Sequence, residues 1–277
     1  MRARWGRCSA RTLVQYVARL LHEERQLRGT PKGGRVLSPF WQAVMVLRWF
    51  RGEHDVPKLG RDHRVSRATA YRYIHEGIEV FAVQAPDLPE ALERAQAEGL
   101  SHVILDGTLI PIDRCVEQAV SVKGKPIEAW YSGKAHQHAG NLQALSAPSG
   151  LPLWIGEVEL GSVHDLTAAR AHVLGALYAA AARGLPTLAD SGYDGAGIGI
   201  HTPIKQPEGN QILSPDDRTY NRLLRALRCL GERGFALLKG RWRTLQHITV
   251  SPSRIGDIAR AVLVLTHFEH NYLPAIR

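Results

Sequence analysis

A chain of 277 residues has room for one large and one small domain, each with a core of its own. Its 35 Lys and Arg against 26 Asp and Glu leave a formal charge of +9, which points to an acidic polymer as partner, nucleic acid first. Three scattered cysteines, Cys8, Cys115 and Cys229, argue against a disulfide framework or a zinc site and for a reducing, cytoplasmic setting. No apolar run approaches the roughly 18 residues of a membrane span, and no signal-peptide core is seen.

In chain order, residues 1–35 open with a basic leader, MRARWGRC, run on as an amphipathic helix over 12–28 and end in the linker GTPKGG. Residues 36–84 read as three helices. Ser38-Pro39 is a helix start, a short helix spans 56–62, and after the turn 63–65 Ser66 caps a third helix. That order fits a helix-turn-helix, whose last helix enters the major groove of DNA with Arg67, Thr69, Tyr71 and Arg72 as contacts. An ordinary three-helix bundle has the same pattern. Residues 85–100 form a connector helix.

From 101 strands and helices alternate. SHVILDGTLIPI is a strand, two antiparallel strands meet at the turn 148–150, an alanine-rich helix covers 166–183, and LPTLAD is a further strand. A closing helix lies in 251–273 and is expected to pack the sheet from outside. The fold class is α/β: a ribonuclease-H-like sheet domain over 101–273 preceded by the small all-α domain.

The stretch 220–245, YNRLLRALRCLGERGFALLKGRWRTL, predicts one long helix. At about 100° per residue, Leu223, Leu227, Leu230, Leu237, Leu238 and Leu245 form a buried side. Asn221, Arg225, Arg228, Glu232, Lys239 and Arg243 form the other. Asp106 and Asp190 each close an apolar run ahead of small residues, so both carboxylates are expected bare at neighbouring strand ends. Glu232 could meet them from the helix. Three carboxylates in one crevice repel one another unless a divalent cation holds them. Magnesium suits such hard oxygen donors, and two ions would serve an in-line phosphoryl transfer.

At these residues the chain resembles the insertion-sequence transposases of the DDE superfamily, in the insertion-sequence-five group related to the Harbinger-like transposases. LDGTLIPID around Asp106, YSGKAHQHAGNLQ, GSVHDLTAAR, LADSGYDGAG around Asp190 and the stretch bearing Glu232 carry the resemblance, over residues 36–270. It implies a catalytic and metal-binding triad of Asp106, Asp190 and Glu232, a Mg2+ or Mn2+ requirement, and cut-and-paste movement of a DNA element. Recognition of terminal inverted repeats on double-stranded DNA is implied too. Synapsis of two ends makes a homodimer the natural guess; neither a membrane nor a small-molecule cofactor is expected. Where related elements place a tyrosine, this chain has Arg225.

Asp165, ahead of a helix, is expected to cap it or to support the site from behind rather than bind metal. Asp113 and Asp194 read as turn residues. His136 and His138 lack a third zinc ligand. Lys134 in the SGK turn and Arg228 are candidate DNA contacts. Lys239 and Arg243, about 10 and 16 Å along the helix from Glu232, would reach the strand on either side of the scissile phosphate. Trp242 reads as core. A DNA-binding protein with an inert catalytic domain, and a nuclease that cuts without joining, are the competing functions.

Overall fold

The computed structural model describes residues 9–120, 124–207, 209 and 212–272, with the side chain of Glu232 outside the description. The basic leader at 1–8 also lies outside it. The chain divides into two compact units: residues 1–85, 238–246 and 257–277 form one, and residues 86–237 with 247–256 form the other. No helix among the described residues is long and apolar enough to cross a membrane.

The first unit is helical. α1 (Ala10–Leu27) starts at Ser9, whose hydroxyl accepts from Thr12 N, and buries Leu13, Tyr16, Val17, Leu20 and Leu21. It packs on α2 (Pro39–Phe50) and α4 (Arg67–Ala82). The amphipathic helix expected over 12–28 is thus part of this core. Ser38 caps α2 with Pro39 in its first turn, Asp55 caps α3 (Val56–Asp62), and Ser66 caps α4. Arg64 at φ 55° turns the chain between α3 and α4. A buried polar chain ties the 28–37 crossing to α4. Arg25 donates to Gln42 and to Leu37 O, and Gln42 and Arg35 both donate to Glu76 (2.9 Å each). The late segments complete the core. Trp242, fully buried, donates to Thr266 Oγ1 at 2.9 Å, and Tyr16 stacks on Phe268 at 4.0 Å.

The second unit holds a mixed sheet. α5 (Leu88–Ala97), with its Asp87–Glu90 capping box, leads into β1 (Val103–Pro111). A small hairpin, β2 (Gln118–Val120) with β3 (Pro126–Glu128), and the two-residue β4 (Tyr131–Ser132) precede β5 (Gln137–Ser146) and β6 (Pro152–Leu160). β1, β5 and β6 are antiparallel neighbours. β7 (Thr187–Leu188) joins β1 in parallel and β8 (Ile200–His201) joins β7 in parallel. The order across the sheet is β6-β5-β1-β7-β8, with β4 on the start of β5. The alanine-rich helix is broken at Val173 into α6 (Asp165–His172) and α7 (Leu174–Ala182).

Three further expectations change. The long helix is two: α8 (Pro215–Arg228) and α9 (Glu232–Arg241), followed by a 3-10 turn at Arg243–Leu245. The break has a steric cause. A Cβ on Gly231 would stand 2.5 Å from Ile104 Cγ2, and one on Gly234 2.5 Å from Ser146 Oγ, so the turn lies directly on β1 and β5. The leucine side is only partly buried: Leu238 and Leu245 are buried and Leu237 half-buried, but Leu223, Leu227 and Leu230 are exposed. The closing helix, α10 (Ile255–Glu269), starts against the sheet, where a Cβ on Gly140 of β5 would stand 2.6 Å from Ile255 Cδ1, and from Asp257 onward belongs to the helical unit.

Candidate active site

β1 does not stop at Asp106; it runs five residues further, with Asp106 opposite Ala144 of β5. What makes room there is β7, which is short. The parallel pair ends at Ile104 and Leu188. Asp106 comes two residues further along β1, and Asp190 two residues past the end of β7. Parallel neighbours keep their side-chain faces in step, and strands lie about 4.8 Å apart, so this register brings Asp106 and the segment that follows β7 to the same end of the pair. Both are half-buried. Asp190 ends the strand by capping the 3-10 turn Ser191–Tyr193, its Oδ1 accepting from Gly192 N at 2.8 Å. Asp106 Oδ1 accepts from Gly107 N at 3.0 Å.

Asp165 does not cap α6. The N-cap of α6 is His164, which makes no side-chain cap bond, and Asp165 is the first helical residue. Its carboxylate turns toward β1. A Cβ on Gly107 would stand 2.9 Å from Asp165 Oδ1 and 3.1 Å from the Tyr193 hydroxyl, so a side chain at 107 would force both back. Asn141 Nδ2 donates to Asp165 Oδ1 at 2.8 Å and to Val163 O at 3.1 Å, and Gln143 Nε2 donates to Asp165 main-chain O at 2.6 Å. Asn141 and Gln143, both buried, face one way from β5 and clamp the start of α6. Two buried amides two residues apart in an otherwise apolar strand were the signal available beforehand, since such groups need partners.

Tyr193 reports the field in the site. Its ring is buried and its hydroxyl has no hydrogen-bond partner among the described residues. Burial raises its pKa most. The charges of Asp165, Asp106 and Asp190 push the same way, and Arg228 pulls against them. Three carboxylates and one guanidinium therefore act on one hydroxyl. Arg228 Nε is itself buried without a partner among the described residues.

Glu232 is the first residue of α9, directly after the Gly231 that rests on Ile104. Ile104 and Asp106, two apart on β1, share a face. The backbone of Glu232 thus starts beside the face that carries Asp106. Among the described residues no three His, Cys, Asp or Glu side chains are grouped closely enough to hold a metal ion.

A cleft of about 620 Å3 opens beside Gly107 and Asp165, between the turn bearing Lys134 and the loop at 161–164, with Asn141 at its floor. Lys134 therefore shares this cleft with Asp165. Lys239 and Arg243 belong to the other unit, where the Arg243 stem lies 3.0 Å from a Cβ built on Gly52. In that unit Arg67 and Arg72 of α4 are exposed; Arg67 lies over the Tyr71 ring at 5.7 Å, and Arg72 donates to Thr69 Oγ1 at 3.1 Å. Thr69, Tyr71 and Arg72 line a groove of about 710 Å3 with Arg28, Arg35 and His75. Asp113 accepts from His247 (2.8 Å), Asp194 pairs with Lys205 (2.7 Å) and His138 with Glu128 (2.9 Å), which gives each a local structural partner.

Neither curated proteins nor solved structures gave a match to the chain. The family described as DDE superfamily endonuclease matches residues 105–267, more than half of the chain and the whole of the aspartate site, and the chain belongs to that family.

Proposed function

We propose that the chain is a DNA transposase that cuts at the ends of its element and joins the freed ends to target DNA. The observation that supports this reading most is the β1–β7 register, whose pairing ends two residues short of both Asp106 and Asp190 inside the family-matched segment. Glu232 is the third carboxylate in this reading, supported by the start of its helix next to Ile104. The donor set suits a hard cation: carboxylate oxygens only, with Asp106 and Asp190 half-buried. Asp106, Asp190 and Glu232 would hold Mg2+ or Mn2+, which when bound neutralises charge on the phosphodiester and lowers the pKa of the attacking water.

The chain's own residues do the rest. Gly107 keeps the floor of the site low enough for Asp165 to lean in, and Asn141 holds that carboxylate in place. Arg228 supplies positive charge where the strand enters, and Lys134 reaches a neighbouring phosphate from the cleft wall. In this reading the sheet is of ribonuclease-H type, and α2, α3 and α4 form the helix-turn-helix that finds the inverted repeats through Arg67, Thr69, Tyr71 and Arg72.

The test is cleavage of a duplex carrying an element end, with Mg2+, by wild type and by Asp106→Asn. Wild type is expected to nick, and the variant and the chelated enzyme to be silent. Nicking by Asp106→Asn at the wild-type rate ends the assignment. Strand-transfer product separates a transposase from a plain nuclease, and specific binding without nicking identifies an inert binding protein.

A further inference from the structure

The register of β1 separates two faces. Asp106 stands opposite Ala144, whereas Gly107 and Leu109 stand opposite Gln143 and Asn141. Alternate residues of a strand face opposite ways. Gly107, Leu109, Asn141 and Gln143 therefore look away from the face that carries Ile104, Asp106 and the start of α9. The cleft of about 620 Å3 lies on this second face and begins at Gly107, one residue from Asp106. The pairing with β7 stops at Ile104, so β7 does not wall the cleft off from Asp106. Its lining is graded: Lys134 is an exposed cation, Leu109 and Val163 are half-buried and apolar, and Asp165 brings a half-buried carboxylate. Asn141 takes one oxygen of that carboxylate at 2.8 Å. A carboxylate accepts at about four positions, so acceptor capacity is left for a ligand.

We propose that this cleft receives one nucleotide turned out of the DNA stack beside the cut, with Lys134 on its phosphate and Asp165 accepting from the amino group of its base. The inference rests on the reading that DNA is cut at Asp106. A ligand matched to the lining is anionic at one end, carries an amino group at the other and is apolar between. A nucleotide of adenine, cytosine or guanine has that form. The volume suits one such unit and is far too small for a duplex. A base still paired in the helix cannot reach the far face of β1, whereas one rotated about its backbone can. Thymine fits poorly: it has no amino group, and its one ring N–H lies between two carbonyl oxygens that a carboxylate repels.

The test uses the full chain and a duplex carrying an element end, with the fluorescent base 2-aminopurine placed in turn at each nucleotide flanking the cut and divalent metal chelated to keep the duplex whole. Wild type is expected to raise the emission severalfold at one position, and to bind a duplex mismatched there about tenfold more tightly than the matched one. Gly133→Leu should abolish both effects at the wild-type melting temperature: Gly133 lines the cleft, a Cβ there meets nothing within 4 Å, and its backbone is outside the left-handed region. Asp165→Asn should erase a preference of about tenfold for cytosine over thymine at that position. No rise at any position, with wild type nicking the same duplex in Mg2+, overturns the proposal and leaves the transposase reading standing. A rise that survives Gly133→Leu also overturns it, because the base is then held elsewhere. Deoxycytidine monophosphate that binds wild type but not Gly133→Leu, while no duplex position brightens, assigns the cleft to a free nucleotide and overturns it too. A rise that Gly133→Leu abolishes, with no nicking by wild type, supports the cleft as a nucleotide site and removes the cutting reading instead.

Discussion

Gly231→Ala tests whether the approach of the α8–α9 turn to β1 sets the position of Glu232. A new Cβ would stand 2.5 Å from Ile104 Cγ2 and 3.1 Å from Arg228 O. Carbon atoms in contact sit about 3.5–4.0 Å apart, so the start of α9 must retreat by roughly 1 Å. The backbone angle at 231 is open to alanine, which leaves the clash as the whole effect. Overpacking of this kind costs about 1–3 kcal/mol, and a 1 Å displacement of a reacting group can cost about 10²-fold in rate. Ile104→Ala removes the obstructing methyl and, at a buried site, costs about 2–5 kcal/mol by itself. The double variant should therefore lose less than the sum, by about 0.5–3 kcal/mol, and regain part of the nicking rate lost by Gly231→Ala. Urea unfolding followed by tryptophan fluorescence, with single-turnover nicking alongside, measures both. Strict additivity in stability, or Gly231→Ala nicking at the wild-type rate, refutes the packing argument.

Asn141→Leu removes the donor to Asp165 and Val163 from a buried position and should cost about 1–3 kcal/mol. For a protein of this size each kcal/mol appears as about 2–4 °C in Tm, read by calorimetry. Thr266→Val leaves the Trp242 indole N–H without its acceptor in the helical unit and should cost a similar 1–3 kcal/mol, with tryptophan emission as the local probe. The Arg48 guanidinium, hydrogen-bonded to Glu53 and to Asp62, holds both carboxyls below the usual carboxylate range. A depressed carboxyl adds stability above its unfolded pKa of about 4 and loses it as pH falls through its folded value. Arg48→Met should therefore be less stable than wild type at pH 7, with the gap closing toward pH 3 in urea titrations. End binding should fall steeply with salt, and Arg72→Ala should cost about 1–3 kcal/mol on the cognate end if it reads a base, against an equal loss on every duplex if it holds phosphate.

The helix caps at Ser38 and Ser66, the extent of β1, the antiparallel β5–β6 pair and the strand ahead of Asp190 were legible because each is local: a hydroxyl and a proline, or an apolar run and a turn. What escaped depended on contacts distant in sequence. The glycine at 231 looked like a tolerated interruption of a helix until Ile104 was seen against it. Helical spacing told that Leu223, Leu227 and Leu230 share a side, but not whether anything covers it. Asp165 resembled a cap because acids commonly stand at helix starts, and only Gly107 and Asn141 reveal where it points. The β2–β3 hairpin, three residues a side, is too short to show a period.

The helical unit is assembled from three separated stretches, and its buried tryptophan and the ring stacked on Tyr16 come from positions 242 and 268. During synthesis, the first 85 residues must wait for almost the entire polypeptide to emerge before that core can close. A fragment ending before Trp242 would leave part of the core uncovered, and expression work on the helical unit should begin with the uncut chain.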